Sequence, residues 1–367
     1  MIIERYIHRE ILHRLIWIAL LLLLVLTTNK FVEYLGDAAA GKIPASYVLK
    51  LLWFRMLSMQ TDVLPVALFL AVILAFSRLN QDNELAVMAA AGIGKRSQLH
   101  MTLRFSLVFS VLIALFAFVI GPWAKLNVGK LKAQAWQEVN ISGLTPGKFK
   151  ELNKGNSIVY IEALSPEKLM ENVFLQIQDK GKNSVFKSDT AYFHVDEKSG
   201  HRFIIFKNGR RYQGQPGMPD YQITQYEKYA ALIELKDEAN EIASPETAST
   251  ALLLVSPLPE HQGELQWRIS SLLSCVLLAL LGVLLNQYPF GQKPFTLLLL
   301  GVLIYFIYNN LLGISRTLLE RGNVSPWLGL WWVHALLILS IAIIYHFPEL
   351  IQRLRRDSEL QVLPADP

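Results

Sequence analysis

Six stretches of mostly apolar residues, each close to the length of a membrane-spanning helix, divide this chain. Three lie before residue 125 and three after residue 264. A helix needs roughly 20 such residues to cross a bilayer core, because each residue adds about 1.5 Å. Water is missing there, so the backbone must satisfy its own hydrogen bonds, and helices are the economical answer. The first block, "LIWIALLLLLVLTTNKFVEYL", ends near Leu35. The second runs through "LSMQTDVLPVALFLAVILAF" to Phe76, and the third from Leu103 to Trp123. The others are Leu265 to Leu285, Phe295 to Ile314 and Trp327 to Phe347. With 52% hydrophobic and 18% charged residues, the composition agrees with a membrane protein. The first block is read as a span rather than a signal peptide, because no small-residue cleavage motif follows it.

Basic residues in short loops set orientation. Arg5, Arg9 and Arg14 precede the first span, and Arg78, Lys95 and Arg96 lie between the second and third. Lys293 lies between the fourth and fifth, and Arg353, Arg355 and Arg356 follow the sixth. Alternating spans put all of these on one side, which predicts a multi-pass protein with both termini in the cytoplasm. Cytoplasmic flanks beside anionic lipid account for the net charge of +5 without a nucleic-acid partner.

The residues between the third and fourth spans change character. "NSIVYIEAL", "VFLQIQD", "TAYFHVD", "HRFIIFKNG" and "YQITQY" alternate apolar and polar positions, the signature of half-buried strands. "DEKSG" reads as a hairpin connection, and "NGRRYQG" carries an Asn-Gly turn signal. Short strands at near-regular spacing predict a sandwich or open barrel rather than βαβ units. The expected fold is therefore an α-helical membrane protein of six transmembrane helices, with an all-β domain inserted between the third and fourth on the extracytoplasmic side. The expected divisions are 1–124, 125–263, 264–350 and a tail at 351–367. "EIASPETASTALLLVSPLPEHQGE" reads as the connector back to the membrane.

Enzymatic motifs do not assemble. "AAAGIGKRS" misses the phosphate-binding loop G-x-x-x-x-G-K-[ST], with Ala89 at the first glycine and Arg96 at the hydroxyl position. Gly92 reads instead as the end of a helix, where a positive φ is needed. The lone cysteine, Cys275, fits small-residue helix packing. His8 and His13 miss zinc spacing, and His334 and His346 fit helix–helix hydrogen bonding. No nucleophile elbow appears. A non-catalytic chain without metal or cofactor is the expectation.

Polar residues inside spans are costly and point to function or to interface anchoring. Lys30 lies late in the first span, Asp62 three residues before Pro65, Arg268 early in the fourth span and Arg316 just beyond the fifth. All four fall near the outer mouth in this topology. The three cations suit a phosphate-bearing substrate, and ordinary anchoring is the competing reading. Of the adjacent Asn309 and Asn310, at least one must face protein.

"RLNQDNELAVMAAAGIGKRS" is too short to span and too helix-like for a plain loop. Asp82 is placed to cap a helix ending at Gly92, with Glu84 in its first turn. Leu85, Met88, Ala89 and Gly92 form a narrow apolar stripe. The acidic start favours docking to a partner over lying on lipid.

These features, together with "MIIERYIHRE", "IPASYVLKLL" and "VLPVALFLAVILAFSRLNQDNELAVMAAAGIGK", resemble the lipopolysaccharide export permeases, the YjgP/YjgQ family. The opening "MIIERYI" is closer to the F-type than to the G-type subunit. The resemblance covers essentially the whole chain and is most specific from Leu64 to Lys95. It implies a non-catalytic permease subunit in the inner membrane of a Gram-negative bacterium. It implies a G-type sister permease, a cytoplasmic ATPase dimer, a single-helix C component and a jellyroll bridge through the periplasm. The implied substrate is lipopolysaccharide. Asp82, Glu84, Leu85 and Met88 match the helix that couples to the ATPase, and Lys30 matches a base that holds lipid phosphates. Glu33 departs from the basic pattern one turn later. A membrane-anchored scaffold or receptor and a polytopic hydrolase are the competing classes.

Overall fold

Apolar length decides where the helices form, and packing decides which of them are buried. The computed structural model describes residues 2–40, 42–142, 146–152, 157–165, 169–179, 182–195, 202–214, 222–234, 244–287 and 294–360. Helices α1 (Ile2–Ala39), α2 (Ala45–Gln81), α3 (Glu84–Ala90), α4 (Lys95–Leu115) and α5 (Gly121–Ser142) precede the strands. A π turn at Phe116–Ile120 joins α4 to α5. After the strands come α6 (Thr250–Val255), α7 (Pro259–Leu285), α8 (Pro294–Glu320) and α9 (Trp331–Leu360). Five stretches, in α1, α2, α4–α5, α7 and α8, are long and apolar enough to cross a membrane, and Trp331–His346 of α9 is a shorter apolar helix. This is the mostly helical membrane fold with a β-insert that the sequence predicts.

The chain divides into two compact units. The first comprises residues 1–28, 55–124 and 248–367, and α2 and α7 form its centre. The most apolar window of α2 is 78% buried and that of α7 is 67% buried, against 11% for α1. Ile7, Ile11 and Leu15, four residues apart on α1, join Leu64, Leu68, Phe76 and Leu79 of α2 and Cys275 of α7 in one apolar cluster. Phe69 and Ile73, on another face of α2, meet Leu278 and Leu281 of α7, Leu312 of α8 and Val333 of α9. The packing role expected of Cys275 is what its full burial gives.

The second unit comprises residues 29–54 and 125–247. Its helical part is held by Tyr34, Val48, Leu51 and Val128. The strand insert was expected to start at Lys125, but α5 runs on to Ser142 and the first strand begins at Phe149. The intervening "KLNVGKLKAQAWQEV" is polar yet rich in strong helix formers, so leaving the apolar region does not end the helix.

Strands β1 (Phe149–Leu152), β2 (Ser157–Tyr160), β3 (Ala163–Leu164), β4 (Met170–Asp179), β5 (Lys182–Val195), β6 (Arg202–Gly214) and β7 (Gln222–Glu234) form one antiparallel sheet. The order is β1-β2-β4-β5-β6-β7, with β3 also on β4. "DEKSG" lies outside the described residues, between the antiparallel neighbours β5 and β6. The Asn-Gly turn is a misreading, because Asn208 and Gly209 sit inside β6.

Those two residues belong to a crease across the sheet. Pairing is interrupted at Asn172 opposite Asp189, at Asp189 opposite Asn208, and at Asn208 opposite Glu227, while the register continues on both sides. Asn172 and Asn208 have φ of 46° and 50°, a region asparagine tolerates better than most residues. The core-facing side chains change parity there. They run from Met170 to Val173 and Leu175 in β4, and from Phe186 to Ala191 and Phe193 in β5. Gly209 lies so close to β5 that a Cβ would collide with the Lys187 carbonyl and the Ser188 hydroxyl. Ser188 and Tyr226 share a 2.7 Å hydrogen bond beside it, and burial raises the pKa of the Tyr226 phenol.

Gly209→Ala should therefore destabilise the insert by about 1–3 kcal/mol, the usual cost of overpacking. Hydrogen–deuterium exchange would show faster exchange in β5 and β6 and unchanged exchange in α2 and α7. Wild-type exchange in β5 and β6 would refute the close approach.

Candidate functional site

Helix α3 is held between α2 and α4 by its own sequence. Ala-rich "ELAVMAA" favours helix, and Gly92, at φ 86°, ends it as expected. Its N–H donates to the Ala89 carbonyl at 3.0 Å, and the Ile93 N–H donates to the Met88 carbonyl at 2.8 Å. The start differs from expectation. Asn83, at φ 58°, occupies the cap position without a side-chain cap bond. Asp82 does not cap α3, because Arg78, one turn back, takes its carboxylate at 2.8 Å.

The apolar stripe also points another way than docking requires. Met88 is buried in the cluster of Ile7, Ile11 and Leu79, and Leu85 and Ile93 pack against that cluster. Leu85 and Met88 thus fasten α3 to its own bundle. Ala86, Val87, Ala89 and Ala90 are the residues exposed on it. Glu84 is engaged within the chain: the Tyr6 hydroxyl donates to its carboxylate at 2.7 Å, and Arg78 Nη2 lies 3.4 Å away. Arg78 Nη1 donates to Glu10 at 2.9 Å and to the Tyr6 hydroxyl at 3.2 Å. Arg14 also pairs with Glu10. The cluster thus joins the first turns of α1, the end of α2 and the start of α3.

Arg268 and Arg316 belong to a second polar network. Arg268 is 2% exposed. Its Nε donates to Glu264 at 2.8 Å, one Nη to the Thr250 hydroxyl at 3.0 Å, and the other to the Ala248 carbonyl at 3.0 Å. Arg316 pairs with Glu264 at 3.0 Å and with Glu320 at 2.6 Å, and its guanidinium lies over the Trp267 ring. Two cations meet two carboxylates, so burial is compensated. Thr250 passes the network on, donating to the Phe118 carbonyl in the π turn at 2.8 Å.

Asp62 lines a small pocket of about 20 Å³ with Ser270, Ser274, Tyr305, Tyr308 and Asn309. Behind it runs a buried hydrogen-bond chain. Ser274 Oγ lies 2.8 Å from the Tyr308 hydroxyl, which lies 2.9 Å from His334 Nδ1, and His334 Nε2 lies 2.8 Å from Ser270 Oγ. His334 therefore serves helix–helix hydrogen bonding, as expected. Asn309 faces this pocket, whereas Asn310 donates to the Phe306 carbonyl of its own helix. Lys30 is paired with Glu33 at 2.6 Å, at side-chain exposures of 29% and 52%.

The sequence reading missed Tyr6, Glu10, Glu264 and Glu320, and treated Arg78 only as an orienting charge. Three signals were present: Arg78 and Asp82, Glu264 and Arg268, and Arg316 and Glu320 are opposite charges four residues apart. The long-range partners carry no such mark. Among the described residues, no group of three or more His, Cys, Asp or Glu is placed to hold a metal ion.

The comparisons with known proteins converge. The family model of the lipopolysaccharide export system permeases LptF/LptG matches residues 5–346. The lipopolysaccharide export system permease protein LptF of Escherichia coli strain K12 is 27% identical over 346 residues, which is 94% of each chain. The protein of the same name from Shigella flexneri matches to the same extent.

Arg268→Met should destabilise the helical unit by about 3–5 kcal/mol, because Glu264 would keep a buried charge with one partner removed. The double variant Arg268→Met, Glu264→Leu should recover part of that loss. Thermal unfolding in detergent measures both, and an Arg268→Met protein as stable as wild type would refute the compensation.

Proposed function

The chain belongs to the LptF/LptG family of lipopolysaccharide export permeases, and from that membership we propose that it is the F-type membrane subunit of an ATP-driven lipid exporter. In this reading it has no hydrolytic chemistry of its own. It pairs with a G-type sister permease over two copies of a cytoplasmic ATPase, with the single-helix C component alongside. Lipopolysaccharide enters the cavity between the permeases from the outer leaflet of the inner membrane and leaves onto the periplasmic bridge. Both termini and α3 lie in the cytoplasm, and the β-insert lies in the periplasm.

The observation that carries this reading is the match from residue 5 to 346, across both helical halves and the insert. The scaffold reading leaves the second helical half and α3 without a task. The hydrolase reading would need a Ser–His pair such as Ser270 and His334, and these two are 2% and 3% exposed, packed between helices.

Closure of the ATPase dimer on ATP moves α3, whose exposed face is Ala86, Val87, Ala89 and Ala90 and whose Glu84 lies at its leading end. Leu85 and Met88 anchor α3 to the bundle core, so α3 moves with the bundle and not apart from it. Lys30 is the proposed phosphate contact, and a lipid phosphate must displace Glu33 from it. Asp62 borders the cavity. Arg268 and Arg316 support it by holding α7 against α8 and the π turn.

Two outcomes check this. Glu84→Ala should lower export in cells by about tenfold and leave membrane insertion intact; normal growth with normal ATPase association would sink the assignment. A photoreactive phenylalanine analogue in place of Lys30 should cross-link to lipopolysaccharide, and cross-linking only to bulk phospholipid would remove Lys30 from the substrate path.

A further inference from the structure

The polar cluster around Arg78 joins two elements that the apolar core treats differently. Helix α1 is buried at its first turns, where Ile7, Ile11 and Leu15 enter the core. Farther along, Ile16, Trp17, Leu20 and Leu21 are exposed, and only 11% of its most apolar window is buried. A helix anchored at its first turns and lightly packed over its apolar middle carries a push on that end along its length. Whatever grips that end decides what turns it.

The grip toward α3 is polar and specific. Tyr6 donates to Glu84, and Arg78 binds Tyr6, Glu10, Asp82 and Glu84 through all three of its guanidinium nitrogens. A lysine has a single nitrogen and cannot copy that fork. Other polar ties at the same end lead elsewhere: His8 meets the Met101 carbonyl at 2.9 Å, and Arg104 meets Glu4 at 3.1 Å, which join α1 to α4. Each exposed ion pair is weak alone. Here one guanidinium gathers three carboxylates and a phenol, so the three helix ends move together or the whole cluster opens.

We propose that Arg78 is a positioning residue that couples the ATPase-docking helix α3 to α1, with Tyr6 as its second contact, so that movement of α3 swings α1. The proposal rests on the permease reading above and adds the residue through which force leaves α3. Glu84 then has two tasks, one toward the ATPase and one toward α1.

The test uses the full permease–ATPase complex reconstituted in liposomes, with lipopolysaccharide released per ATP hydrolysed as the readout. Arg78→Gln and Tyr6→Phe should keep ATPase association and hydrolysis within about twofold of wild type while the released-per-ATP ratio falls by roughly 5- to 10-fold. Arg78→Lys should fall between them and wild type. A merely structural loss would lower hydrolysis and release together and leave the ratio unchanged, and that result overturns the proposal. Tyr6→Phe removes one hydroxyl and keeps the ring, so it stays informative if Arg78→Gln folds poorly; an unchanged ratio in Tyr6→Phe overturns it as well. A wild-type chain that recruits no ATPase, or releases no lipid, overturns the permease reading itself and is distinguishable from either outcome.

Discussion

A guanidinium only 2% exposed in a membrane-spanning helix has to be neutralised where it stands. Arg268 sets that condition, and much of the helical unit is arranged to meet it. Glu264 lies one turn away on the same helix, and Arg316 and Glu320 of α8 complete the charge balance. The remaining donors of Arg268 find Thr250 and the Ala248 carbonyl, which fixes the connector where it re-enters the bundle. Thr250 in turn reaches a carbonyl in the π turn of the third span. A π turn displaces carbonyls from their ordinary partners, and here one of them accepts from a residue 132 positions further along the chain. One buried charge thus brings together the third span, the connector and two later spans.

The two polar systems in this unit differ in a way that matters for work. The Arg268 network is dry at its centre, where Arg268 and Glu264 have little room to exchange partners, while Arg316 and Glu320 form its rim. The Arg78 cluster sits at the end of the bundle with its side chains partly in solvent, 40% exposed for Arg78 itself. Low dielectric makes the first rigid, and solvent makes the second exchangeable. A transporter needs both kinds, a fixed frame and a joint, and the sequence spends similar residues on each.

Much of the fold was legible because membrane spans announce themselves by length. The strands were legible too, since their alternation survives in single sequences. The failures have local causes. The third span's helix outlasts its apolar stretch because "KLKAQAW" favours helix without needing lipid. The Asn-Gly pair imitated a hairpin because asparagine with a positive φ serves a bend in a continuous strand as readily as a turn. Asp82 was misassigned because a capping role and an ion pair with Arg78 are written in the same residue. In the site, apolar spacing located the stripe of Leu85 and Met88, but spacing is silent on whether a stripe faces inward or outward. The Tyr6–Glu84 bond joins residues 78 positions apart, and pattern at that range is invisible in one sequence.

The crease in the sheet also changes what the strands can do wrongly. In a plain antiparallel sheet, sliding a strand by two residues restores its apolar face, so such errors are nearly silent. Here the pairing of β4, β5, β6 and β7 is interrupted at one shared row, and the core-facing side chains of β4 and β5 change parity across it. A strand displaced by two would set its interruption against a neighbour's regular pleat, and apolar side chains would emerge on one side of the row. The row acts as an alignment mark read by all four strands at once, and an insertion or deletion in one of them needs a compensating change on the same side of it.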